Sequence, residues 1–81
     1  MRRREPVRVA VIFEPGRGLR PVWFDRRNRK HVVRETTYRW QDREGDKPRL
    51  HFTVTDGDAL FELVYAPLDG IWTLVNQEGA P

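Results

Sequence analysis

Strict alternation of apolar and polar side chains, the mark of a half-buried strand, recurs along most of this chain. In VRVAVIF (residues 7–13), Val7, Val9, Val11 and Phe13 fall on one face and Arg8, Ala10 and Ile12 on the other. RLHFTVT (49–55) repeats the pattern, with Leu50, Phe52 and Val54 opposed to His51, Thr53 and Thr55. VWF (22–24), HVVRETTYRW (31–40), ALFELVYA (59–66) and IWTLVNQ (71–77) read as four further strands. Between them lie EPGRGLRP, DRRNRK, QDREGDKP, DGD and PLDG. These put Gly, Pro, Asp and Asn where the chain must reverse, and Asp-Gly tolerates the positive φ of a tight hairpin. No segment carries apolar residues at i, i+3, i+4 and i+7 over the length of a helix.

Six short strands in a meander predict an all-β fold: a single small antiparallel barrel or strongly bent sheet of the SH3-like kind. The third predicted strand conflicts with itself. Counting from His31, the inward positions are His31, Val33 and Glu35; counting back from Trp40, they are Trp40, Tyr38 and Thr36. The two phases meet at residues 35–36, which predicts a β-bulge there, the kind of bend a small barrel needs to close. On this reading Tyr38 and Trp40 anchor the core. The domain is expected over residues 5–77, with residues 1–4 (MRRR) a mobile basic arm and residues 78–81 (EGAP) a mobile tail.

Eighty-one residues suffice for one domain. Cysteine is absent, which excludes disulfides and thiolate zinc sites, so the core must rest on three Trp, two Tyr, four Phe and the β-branched residues. No apolar run has the length of a signal peptide or a membrane span, and the chain reads as cytoplasmic. The net charge of +3 conceals an uneven distribution. All 15 Lys and Arg lie in residues 1–49, against seven acids there, for +8; residues 50–81 hold five acids and no Lys or Arg, for −5. Such asymmetry points to nucleic acid or to an acidic partner.

Catalytic chemistry finds little support. The chain has no Ser and no Cys to activate as a nucleophile. Its Thr residues occupy strands, and the acid groups Asp56/Asp58 and Asp42/Glu44/Asp46 fall in turns. His31, His51, Asp56 and Asp58 lack metal-ligand spacing, and EPGRGLR does not match a phosphate-binding loop. The expectation is a non-enzymatic domain with no cofactor or metal. Binding is better supported. Arg26, Arg27, Arg29 and Lys30 crowd one turn, and Arg34 and Arg39 follow along the next strand. Arginine donates two parallel hydrogen bonds to phosphate, and small barrels bind single strands by joining such a basic surface to an exposed ring. Trp23, out of phase with Val22 and Phe24, is the candidate ring. The partner implied is single-stranded nucleic acid or a DNA-handling protein. The alternative is a protein-interaction module, with Trp23, Tyr38, Trp40 and Trp72 lining a groove for an acidic or extended peptide, or with a free edge strand accepting one.

The order Phe24, Arg29, His31, Val33, Glu35, Trp40, then Val54, Asp56-Gly57, Glu62-Leu63 and Trp72-Leu74 resembles a small uncharacterised bacterial family of all-β domains. Its members occur alone or at the tail of proteins similar to Y-family translesion polymerases. The resemblance covers roughly residues 20–76, with His31 standing where the family pattern has a tyrosine. It implies an accessory place in DNA handling or repair, and no activity.

Overall fold

The structure, a computed structural model, describes residues 2–77, with side chains from Arg3 to Val75. Seven strands make up the fold: β1 (Arg2–Glu14), β2 (Gly18–Arg26), β3 (Arg29–Val32), β4 (Glu35–Glu44), β5 (Lys47–Thr55), β6 (Leu60–Ala66) and β7 (Ile71–Gln77). They form one antiparallel sheet in the order β3-β2-β1-β7-β6-β5-β4. The all-β expectation is met, with seven strands rather than six. The predicted third strand divides at Val33-Arg34 into β3 and β4, and β4 then runs on to Glu44.

That division explains the curvature. β3 and β4 are the two edges of the sheet, yet only two residues join them, so the sheet must curl until its edges approach. Val33 N–H donates to the Val22 carbonyl on β2 (3.0 Å), and Arg34 N–H donates to the Thr55 carbonyl on β5 (2.8 Å). The corner thus stitches one edge to the other, and the result is a curled half-barrel. β1 bends in the same service. Its first half, Arg2 to Val7, pairs with β7, and its second half, Arg8 to Glu14, pairs with β2.

The concave side holds Leu19, Phe24, Phe52, Val54, Leu63, Trp72 and Leu74, with Val7, Val9, Val11, Val33, Leu50, Phe61 and Tyr65 packed around them. Phe24 is central and fully buried. It stacks on His31 (centroids 4.9 Å apart, planes 8°) and meets the edge of Phe61 at 5.1 Å. The alternation in 49–55 is realised, since Phe52 and Val54 are buried on this side.

Four expectations change. Phe13 follows the phase of Val7, Val9 and Val11, but at 77% exposure it overruns the core at the β1–β2 hairpin. The irregularity lies at Thr37, where the β4–β5 register slips between Thr36↔Val54 and Tyr38↔Thr53. A bulge at that position leaves Thr36 inward and sends Tyr38 and Trp40 to the convex face, so neither anchors the core. Trp40 lies instead over His51 (4.6 Å, 14°), and Tyr38 leans on Trp40. Lastly, Arg2, Arg3 and Arg4, expected as a mobile arm, continue β1 and pair with Gln77, Asn76 and Val75. Backbone hydrogen bonds to a neighbouring strand hold them whatever their side chains prefer. Met1 and the expected tail at 78–81 lie outside the described residues.

Candidate nucleic-acid interface

The basic turn is the tip of the β2–β3 hairpin. Arg26 pairs with Arg29, leaving Arg27 and Asn28 as a two-residue loop with φ of 52° and 62°. Two successive left-handed residues make a type I′ turn, whose twist matches the strands it joins. Asn adopts that conformation readily and Arg less so. The turn therefore holds the exposed Arg27 at its apex at some conformational cost.

Register then sorts the hairpin side chains onto two faces. Trp23, Asp25, Lys30 and Val32 share the convex face, whereas Phe24, Arg26, Arg29 and His31 share the concave one. Trp23 is half-buried, with Lys30 Nζ 4.8 Å and Arg8 Cζ 5.5 Å from its ring centroid. Arg8 reaches this place because β1 pairs Arg8 with Asp25, and its Nε donates to Asp25 Oδ2 (2.9 Å). Arg8 therefore belongs to the group, although the sequence reading left it out. Its signal was the polar phase of residues 7–13, which becomes informative only once β1 is laid against β2.

The remaining candidates are distributed more widely. Arg26 is 25% exposed at its side chain and donates to Glu5 Oε1 (3.2 Å), so its charge is already engaged. Arg27 and Arg29 are exposed at the tip. Arg34 sits at the β3–β4 corner with its side chain laid against Gly57, whose φ of +104° reserves that place for glycine. Arg39 is not beside the hairpin. Cross-strand from Phe52 on the concave side, its guanidinium lies over that ring (5.4 Å) and donates to the Arg17 carbonyl (3.2 Å). The structure thus gathers Trp23 and Lys30 with Arg8 on the convex face, leaves Arg27 at the tip and Arg29 on the concave side beside it, and sets Arg26, Arg34 and Arg39 elsewhere.

Nor do the four aromatics of the peptide-binding alternative share a groove. Trp72 is buried against Tyr65, Trp40 and Tyr38 lie on the convex face of β4, and Trp23 lies on the convex face of β2. β4 is, however, a free edge, as that alternative requires.

Two acidic clusters brace the fold near these surfaces. Asp42 accepts from Arg49 Nε and Nη2 (2.9 and 2.8 Å) and contacts His51 Nε2 (2.9 Å), while His51 Nδ1 faces Glu62 (3.2 Å). Arg49 first, and His51 second, pull the Asp42 carboxyl down to about 2. Asp56 caps the β5–β6 turn by accepting from the Asp58 and Ala59 N–H groups (2.9 and 3.0 Å), and it also contacts His31 Nδ1 (3.2 Å). Those two backbone bonds, with His31 adding to them, lower it to about 2 as well. Both carboxyls titrate lower in the folded chain than in the unfolded one. Their stabilisation is therefore complete above about pH 4 and lost as pH falls toward 2. The thermal midpoint should fall across that window, and Asp42→Asn or Asp56→Asn should flatten the slope in a melting series from pH 5 to pH 2.

No family model matches the chain, and no curated protein or solved structure matches it either.

Proposed function

We propose that this domain binds single-stranded nucleic acid through the convex face and tip of its β2–β3 hairpin, as a non-enzymatic accessory module in DNA handling. One observation carries the reading: the Trp23 ring is set among Arg8 and Lys30 on the hairpin whose tip exposes Arg27 and Arg29. Arg8 is fixed by Asp25, whereas Lys30 is exposed and has no carboxylate partner among the described residues. An arriving base takes the place of Lys30 on the ring, and the displaced ammonium turns to the phosphate beside it. Base stacking on an aromatic platform contributes on the order of 1–3 kcal/mol per base and tolerates any sequence. Arg27 and Arg29 then meet the neighbouring phosphates, fixing the strand without reading its bases.

If Arg27, Arg29 and Lys30 each neutralise one phosphate, Arg8 being already paired with Asp25, log affinity should fall against log salt with a slope of about −2 on single strands. Anisotropy of a labelled oligothymidylate, titrated with protein from low to moderate salt, measures that slope. Binding that ignores salt, or no binding at millimolar protein in low salt, would overturn the reading.

A further inference from the structure

Beyond the β3–β4 corner, β2 and β4 diverge. β2 meets β3 only from Trp23 to Arg26, so Gly18 to Pro21 have no strand on that side, and β4 has none beyond its own free edge. The space between them is a cleft of about 470 Å³ lined by Glu14, Arg17, Arg20, Thr36, Thr37, Tyr38 and Arg39. It lies at the far end of β2 from the hairpin tip, roughly 25 Å away at about 3.3 Å per residue.

Three cations and one acid line the cleft. Arg20 Nε donates to Glu14 Oε1 (2.8 Å), which favours the ionised carboxylate, while the terminal nitrogens of Arg20 meet no acceptor among the described residues. Arg39 is fixed by a carbonyl and a ring face, and neither contact neutralises it. Arg17 is exposed, and no carboxylate among the described residues pairs with it. Elsewhere on the molecule Arg8, Arg26, Lys47 and Arg49 each have a carboxylate. The cleft thus keeps a surplus of two positive charges, with two of its three guanidinium groups held in place. Tyr38 supplies an exposed aromatic wall and Thr36 a hydroxyl. Thr37 spends its own hydroxyl on the Thr53 carbonyl (3.3 Å). The volume falls in the range of small-molecule sites, and paired guanidinium groups suit a phosphate dianion better than a single-charged carboxylate.

We propose that the cleft between β2 and β4 is a second anion site, which takes a phosphate monoester bearing a planar group, the chemistry of a nucleotide. The phosphate lies among Arg17, Arg20 and Arg39, and the ring lies against Tyr38. A free nucleotide and the phosphorylated end of a strand share that chemistry.

Chemical-shift mapping of the labelled protein at low salt tests this. Adding AMP should move the amides of residues 17–20 and 36–39 and leave those of 23–32 in place; adenosine should not move them. Arg17→Gln, at an exposed position, should weaken AMP about tenfold, as losing one charge-assisted contact does. Arg39→Gln should do the same, with an unfolding curve to show that the fold persists. A 5′-phosphorylated oligonucleotide that displaces AMP, where the unphosphorylated one does not, identifies the source as a strand end; AMP retained against both identifies a free nucleotide. No shift at the cleft with AMP at about 10 mM, equal shifts with adenosine, undiminished binding in both variants, or tighter displacement by polyglutamate would each overturn the assignment. The hairpin amides report on the other surface, so either site can fail without the other.

Discussion

Replacing Phe24 by alanine should lower the thermal midpoint by about 15–30 °C. Phe24 is fully buried between the two halves of the curled sheet, stacked on His31 and edge-on to Phe61. Truncating a core phenylalanine costs about 3–5 kcal/mol, from lost transfer energy and the cavity left behind. In a domain of this size each kcal/mol moves the midpoint by roughly 4–8 °C. Total stability at about 0.05–0.15 kcal/mol per residue is only some 4–12 kcal/mol, so the variant sits near or past its limit at ambient temperature. Phe13→Ala is the control. The same residue type on an adjacent strand, exposed at the hairpin, should melt within a few degrees of the parent. Circular dichroism melts of the two variants read the difference, and equal losses would show that the core is not where it has been described.

Charge reversal at the hairpin should have the opposite signature. The triple change Arg27→Glu, Arg29→Glu and Lys30→Glu should weaken oligothymidylate binding about a hundredfold or more at low salt. Three exposed charge contacts at roughly 1 kcal/mol each give about 3 kcal/mol before any repulsion is counted. These side chains are exposed and none belongs to the buried cluster. The stability cost is the loss of the Lys30–Trp23 contact, about 0.5–1 kcal/mol, with small surface effects besides. The midpoint should therefore fall by less than about 10 °C. Anisotropy and melting on the same sample separate the two effects, and unchanged affinity would remove the hairpin from the interface.

Where one strand can be read by itself, the sequence was a good guide. Phe52 and Val54 announced their face by alternation, and Asp56-Gly57 announced a turn that Asp56 caps with its own carboxylate. Where burial depends on register between strands, it was not. Tyr38 and Trp40 faced the wrong way because the bulge falls at Thr37, just past the expected pair 35–36, and reverses every position after it. His51 was placed correctly on the convex face, yet it is 6% exposed, because Trp40 on one neighbouring strand covers it and Glu62 on the other contacts it. No pattern within residues 49–55 could disclose that. The candidate site shows the same limit. Arg27, Arg29 and Lys30 were legible as a basic turn, whereas Arg8 and Arg39 were assigned to their surfaces only by the strands beside them. Charge can be counted along a chain, but its grouping in space follows from pairing.

The pairing of β1 with β7 also governs the order in which the protein can assemble. Arg2 and Gln77 are 75 residues apart, so their union must wait until chain diffusion closes almost the whole polypeptide into a ring. Hairpins β1–β2, β2–β3 and β5–β6 need only local search. Such non-local topologies fold in milliseconds to seconds rather than microseconds, and the docking of β7 onto β1 is the step expected to complete the circuit last.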